Sequence, residues 1–209
     1  MIRILIVDDH PVVRKGLRHM LSGAKDILIG GEASNGSEAI SMIGKESYDV
    51  VLLDISMPGR NGLDVLKQIK LYRPRLSVLM LSMHPEEDYA LRCYKGGAAG
   101  YLTKDSPAEE MLTAIRIVAR GGRYVAPSLA DRLPFLLETE TEEPAHGKLS
   151  DRELQILCMF ASGKLPSQIA RELSLSPQTI STYKARILEK MKMPSMAHLI
   201  RYATENRLV

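Results

Sequence analysis

The chain has 209 residues, 45% hydrophobic and 25% charged, a globular balance with enough length for one large domain or two modest ones. No apolar run approaches the roughly 20 residues of a membrane helix, and the N-terminus turns acidic at Asp8-Asp9, too early for a secretory signal. Cys93 and Cys158 form no metal-spaced pair and read as buried free thiols of a cytoplasmic protein. With no Trp and only two Phe, the core has to be aliphatic, with Met filling gaps. The net charge of +3 is uneven: +2 over residues 1–125, −4 over 126–147 and +5 over 148–209. A short basic end behind an acidic stretch has the layout of a nucleic-acid-facing module on a tether.

Residues 2–7 form a first apolar strand that ends at Asp8-Asp9. His10-Pro11 opens a helix in which Val12, Val13, Leu17, Met20 and Leu21 recur at helical spacing. Ile27 to Ala33 is a second strand, and Ser37 to Lys45 a helix turning Ala39, Ile40 and Ile43 inward. Val50 to Leu53 shows no alternation, the mark of a strand covered on both faces, and runs into Asp54. Pro58, Gly59 and Gly62 hold a turn before a helix from Gly62 to Tyr72, which Pro74 stops. A fourth strand, Ser77 to Leu81, leads to Ser82-Met83-His84-Pro85, and a helix spans Glu86 to Lys95. Gly100 to Thr103 is a short fifth strand, followed by Lys104. Ser106-Pro107-Ala108-Glu109 predicts a helix start with Ser106 as N-cap, and that helix runs to Arg120. Five strands alternating with five helices predict a doubly wound α/β domain over residues 1–125, with a five-stranded parallel sheet.

Residues 126–147 predict an acidic linker, with the spacing of a short helix from Leu129 to Leu137. From Leu149 onward the period is helical, and Ser150 with Glu153 makes a capping box. Helices are predicted over 166–173 and 177–192, joined by a tight turn, and a last one opens at Pro194-Ser195. Residues 148–209 thus predict a small all-α, four-helix domain containing a helix-turn-helix.

In a parallel sheet, Asp8-Asp9, Asp54, Ser82 and Lys104 all leave on one edge. With strand order 2-1-3-4-5 the crevice opens between strands one and three. Carboxylates gathered there repel unless a cation joins them, and oxygen-only ligands suit Mg²⁺. A divalent ion, Lys104 and the Ser82 hydroxyl can stabilise the oxygens of an incoming phosphoryl group, with Asp54 as nucleophile.

Asp8-Asp9, Asp54-Ile55-Ser56-Met57-Pro58-Gly59, Ser82 and Gly100-Tyr101-Leu102-Thr103-Lys104 closely resemble the receiver domain of two-component response regulators. The resemblance implies that Asp54 takes phosphate from a sensor histidine kinase. It implies that Asp9, Asp54 and the backbone carbonyl of Ser56 bind Mg²⁺ directly, with Asp8 acting through water. It also implies that Ser82 moves toward the phosphoryl group and Tyr101 then turns inward. His10 and His84 flank the crevice and read as solvated loop residues, and Cys93 as packing.

The stretch from Leu149 to Glu153 and that from Ile169 to Lys184 resemble the LuxR-type helix-turn-helix of NarL/FixJ response regulators. Within the 177–192 helix, Ile180, Ile187 and Met191 share a core-facing side with Tyr183 and Leu188 beside them. Gln178, Ser181, Thr182, Ala185 and Glu189 lie opposite. Gln178, Ser181, Thr182 and Ala185 suit base edges in a major groove, and Lys184, Arg186 and Lys190 suit phosphates. Ser181 and Tyr183 replace the basic residue and the His of many relatives, so base preference does not carry over.

The two resemblances imply a phosphorylation-dependent, DNA-binding transcriptional regulator, not a turnover enzyme, whose phosphate can be lost slowly by autodephosphorylation. Its expected partners are a sensor histidine kinase, double-stranded DNA and a second copy of itself, without membrane attachment. A phosphatase of the haloacid-dehalogenase type conflicts with the adjacent Asp8-Asp9 followed by His10-Pro11. A receiver that regulates a protein partner is the other alternative.

Overall fold

The computed structural model describes residues 1–83, 86–126, 130, 144–206 and 208–209. The chain divides into two compact units, Met1–Leu137 and Glu138–Val209. Among the described residues no helix is long and apolar enough to cross a membrane. His84 and most of the predicted Leu129–Leu137 helix lie outside the described residues.

In the first unit, β1 (Ile2–Val7), β2 (Ile27–Ala33), β3 (Val50–Asp54), β4 (Ser77–Ser82) and β5 (Gly100–Thr103) form one parallel sheet in the order β2-β1-β3-β4-β5. The helices α1 (Pro11–Leu21), α2 (Gly36–Lys45), α3 (Gly62–Tyr72), α4 (Glu86–Lys95) and α5 (Ala108–Ala119) make the crossovers. Every residue of β3 and β4 is buried, which is why those strands read as unbroken apolar runs. Ile4, Ile6, Val50, Leu52, Leu79, Leu81 and Leu102 form one face, on which Leu17 and Leu21 of α1 and Met111, Ile115 and Val118 of α5 pack. Each such aliphatic side chain contributes about 1.5–3 kcal/mol by leaving water. The order reverses between β1 and β3, so their carboxyl ends bound the crevice. At the other edge, the chain leaving α5 returns beside β5. The Tyr124 amide donates to the Ala99 carbonyl at 2.8 Å, and the Tyr94 hydroxyl donates to the Tyr124 carbonyl at 2.7 Å.

Two local expectations are corrected. Val12 is 80% exposed. At the helical period it points about 130° away from the stripe made by Val13, Leu17, Met20 and Leu21. Ser106 does not cap α5; Pro107, at φ −56° and ψ 149°, is the N-cap, without a side-chain cap bond. Pro107 is thus extended and cannot be the first helical residue. Ser106 instead turns back to Thr103, 3.1 Å between hydroxyl oxygens.

The second unit begins with a 3-10 turn, Ala145–Lys148, whose buried His146 places Nδ1 2.8 Å from the Tyr202 hydroxyl. Then come α6 (Asp151–Ala161), α7 (Pro166–Glu172), α8 (Pro177–Lys190) and α9 (Met196–Glu205). Ser150 and Glu153 complete the predicted capping box on α6. Ser176 caps α8 by accepting from the Thr179 amide at 3.0 Å, and Ser174 makes the turn before it with φ +53°. Leu154, Leu157, Ile169, Ile180, Ile187 and Leu199 are all buried and close the core between the four helices.

Candidate functional site

The first unit brings Asp8, Asp9, Asp54 and Lys104 together at the carboxyl ends of β1, β3 and β5. Asp8 and Asp54 are 0% and 1% exposed. Lys104 Nζ lies 2.7 Å from Asp8 Oδ2 and 2.9 Å from Asp54 Oδ2, bridging both carboxylates. Apart from this shared lysine, neither oxygen has a donor among the described residues. Asp9 Oδ1 is likewise buried without an aligned donor, 3.0 Å from His10 Nδ1. The remaining oxygens are fixed by backbone. The His10 amide donates to Asp8 Oδ1 at 2.8 Å and the Ser56 amide to Asp54 Oδ1 at 3.2 Å.

Several local devices hold this arrangement. The Lys104 amide donates to the Ser82 carbonyl at 2.8 Å, which ties the loop after β5 to the end of β4. Ser82 is buried and sits in register with Thr103. Tyr101, on the strand that leads to Lys104 and in register with Met80, is already fully buried, so the inward turn expected to follow phosphorylation is in place without a phosphoryl group. Arg14 donates to the Asp8 carbonyl oxygen at 2.7 Å. The loop after Asp54 folds back so tightly that the Gly62 amide donates to the Ile55 carbonyl at 2.9 Å. A Cβ on Gly62 would sit 2.1 Å from the Asp54 carbonyl oxygen, so only glycine fits there. Asn61, buried, caps α3 by accepting from the Leu63 amide at 2.9 Å.

Sequence reasoning read Gly62 only as a turn residue and passed over Arg14 and Asn61. An Asn directly before a helix was an available capping signal. His10, read as solvated, has an exposed ring that nevertheless reaches both carboxylates of the acidic pair.

Electrostatics follow from the burial. Desolvation pushes the Asp54 carboxyl up to about 6; Lys104 opposes this and Asp8 adds to it. Asp9 is also raised, first by burial, with His10 opposing. Burial works against the Lys104 ammonium, but Asp54 and Asp8 outweigh it and hold it above the ordinary lysine value. Ligand atoms of Asp8, Asp9, His10 and Asp54 all lie within 4.8 Å of one another. Buried carboxylate oxygens lacking aligned donors are the donor set of a hard divalent cation, so the residues present fit Mg²⁺.

In the second unit, Ile180, Ile187 and Met191 are buried, and Gln178, Ser181, Thr182, Ala185 and Glu189 are exposed. The Ser181 and Thr182 hydroxyls donate to the Pro177 and Gln178 carbonyls, each at 3.1 Å, so their lone pairs face outward. Arg186 is exposed and Lys184 half-buried. Lys190 has a partner of its own: Nζ lies 2.6 Å from Oε2 of Glu153, a residue 3% exposed.

The response regulator receiver domain model matches residues 4–116, and the model of bacterial regulatory proteins of the luxR family matches residues 147–203. The chain is a response regulator of the NarL/FixJ family. This response regulator is 37% identical over 209 residues to the response regulator UvrY of Escherichia coli K12, covering 100% of this chain and 96% of UvrY. It is 35% identical over 210 residues to GacA of Pseudomonas aeruginosa, covering 100% of this chain and 98% of GacA. Among solved structures it resembles RcsB of Salmonella enterica serovar Typhimurium bound to promoter rprA in the presence of the phosphomimetic BeF3⁻. That match has a TM-score of 0.67 and 25% identity over 98% of this chain and 99% of RcsB. The family assigns the chain to two-component signalling and DNA-binding transcription regulation.

Proposed function

We propose that phosphorylation of Asp54 by a sensor histidine kinase, with Mg²⁺, controls DNA reading by the helical unit. The observation that carries this reading is the placement of Asp54 in a buried carboxylate cluster, where Lys104 bridges it to Asp8. Above about pH 6 Asp54 is a carboxylate and can act as nucleophile. Its oxygen forms the new bond to phosphorus as the phosphorus–nitrogen bond of a phosphohistidine breaks and the imidazole departs. Asp9, Asp54 and the Ser56 carbonyl would hold Mg²⁺, with Asp8 acting through water. When bound, the ion supplies positive charge to the phosphoryl oxygens. Lys104 adds a second positive charge there, and the Ser56 amide holds the other Asp54 oxygen in place. Ser82 donates its hydroxyl to the phosphoryl group, and Tyr101, on the strand leading to Lys104, couples that movement to α4 and α5.

The domain organisation in this reading is a receiver over 1–125, a linker over 126–147 and a DNA reader over 148–209. Gln178, Ser181, Thr182 and Ala185 face bases, and Lys184 and Arg186 face phosphates. Lys190, expected from the sequence to face phosphate with them, is paired with Glu153 and has less charge to offer. Phosphorylation favours a homodimer that spans two half-sites about one helical turn apart. The RcsB complexes with DNA support DNA as the ligand of this unit.

The test is selection from a random DNA pool, with and without a small phosphodonor and Mg²⁺, on wild type and Asp54→Asn. Donor-dependent enrichment in wild type that disappears in Asp54→Asn is the expected result. Equal enrichment in all four arms would remove the switch. Enrichment in none would favour a protein partner for the helical unit.

A further inference from the structure

The stretch Ser150-Asp151-Arg152-Glu153 opens α6, and a capping role accounts for only Ser150 and Glu153. Its side chains reach much further than their own helix. Arg152 donates from one guanidinium nitrogen to Gln155 Oε1 at 2.7 Å and from the other to the Leu173 carbonyl at 3.2 Å. Leu173 is the C-cap of α7, so this bond holds the turn of the helix-turn-helix. Glu153 Oε2 accepts from the Ser150 amide at 2.7 Å and from Lys190 Nζ at 2.6 Å. Lys190 is the last residue of α8, so this contact holds the far end of the helix whose exposed face carries Gln178, Ser181, Thr182 and Ala185. Two consecutive residues thus grip α8 from both sides, one at the turn before it and one at its end.

We infer that Arg152 and Glu153 are positioning residues for base reading, fixing the angle at which α8 is presented. The inference rests on the DNA-reading function proposed above. Direct readout requires side chains to meet base edges at hydrogen-bond distance, so a helix free to rock loses discrimination before it loses phosphate attraction. The Glu153 carboxylate is held below the ordinary glutamate range. Burial raises it, and the Lys190 and Ser150 donors together more than reverse that. A lysine committed to such a carboxylate has little charge left to displace counterions.

The experiment uses the full chain, activated with phosphodonor and Mg²⁺, on the duplex that wild type enriches from a random pool and on a scrambled duplex. Variants are Arg152→Lys, Glu153→Gln, Lys190→Met and the double Glu153→Gln/Lys190→Met. Gln at 153 can still accept from the Ser150 amide, so the cap survives. Lys190→Met breaks the grip from the exposed end should Glu153→Gln fail to fold. Expected is a loss of about tenfold or more on the enriched duplex, on the scale of one mismatched base pair, with about twofold or less on the scrambled one. The double variant should lose no more than Lys190→Met alone, because both substitutions act on one contact. The slope of affinity against salt should stay at the wild-type value in Lys190→Met. Parallel losses on both duplexes would reduce these residues to fold maintenance and overturn the inference, as would unchanged specificity or a slope shallower by about one phosphate contact. If wild type enriches no sequence, the DNA-reading function itself falls and the inference with it, an outcome visible before any variant is measured.

Discussion

Asp54→Asn in the absence of divalent metal measures what the buried carboxylate costs the receiver unit. Burial moves Asp54 from an ordinary value of 3.8 to about 6, so in this window the folded unit keeps a proton that the unfolded chain has released. Stability therefore falls as pH rises from about 4 to about 6, and the penalty is complete above it. The displacement corresponds to about 3 kcal/mol, the attraction of Lys104 already included. Asn removes the charge, keeps an oxygen for the Ser56 amide, and leaves Lys104 its contact with Asp8 at 2.7 Å. Asp54→Asn should then stabilise the unit by up to about 3 kcal/mol at pH 7.5 and by almost nothing near pH 4. Because two units can unfold separately, the measurement is hydrogen exchange at β3 and β4 amides such as Leu52 and Met80, in chelator. Protection should rise about a hundredfold at the higher pH. A gain of equal size at both pH values, or a loss at pH 7.5, would refute the argument that burial dominates the Asp54 environment.

Gly62→Ala forces a Cβ against the Asp54 carbonyl oxygen, 2.1 Å away, and 2.8 Å from the Ile55 Cα, both backbone atoms. We expect about 3 kcal/mol of destabilisation and about hundredfold slower phosphoryl incorporation from a small donor; a wild-type incorporation rate would show that the loop yields without moving Asp54. Ser174, at φ +53° in the turn before α8, is strained in a way glycine is not. Ser174→Gly should raise the thermal midpoint of the helical unit by the equivalent of about 1 kcal/mol or less, and calorimetry showing a lower midpoint would place the strain elsewhere.

Much of this fold was legible because the signals were one-dimensional. Val50 to Leu53 announced a strand covered on both faces, and β3 is buried at every position. The parallel topology then put Asp8, Asp54 and Lys104 on one edge without any knowledge of distance. Gln178, Ser181, Thr182 and Ala185 were separable from Ile180 and Ile187 by helical angle alone, and burial divides them the same way. What escaped was three-dimensional. Val12 is the exception: the helical angle alone sets it off the stripe of Val13, Leu17, Met20 and Leu21, and its apolar side chain is 80% exposed. The proline after Ser106 reads equally well as a first helical residue or as an extended cap, and only the backbone distinguishes them. Lys190 looks like one more basic residue on a DNA-facing helix until Glu153, 37 positions earlier, is found against it. Gly62 looks like turn punctuation until the Asp54 carbonyl is seen where its side chain would be.

The receiver site and the helical unit handle buried charge in opposite ways, and the difference bears on their roles. Glu153 is buried with donors aligned on it and is held below its ordinary range, so its charge is settled and its contacts fix a helix. Asp54 is buried with one backbone donor at 3.2 Å and one shared lysine, and is held above its ordinary range, so its charge is unsettled. In the function proposed above, a cation or a covalent phosphoryl group would change the balance at Asp54, because folding has left about 3 kcal/mol there unrelieved. The same change applied at Glu153 would only weaken a joint. In the proposed switch the unsatisfied carboxylate, Asp54, would stand at the input, and the satisfied one, Glu153, would hold the element that carries the output.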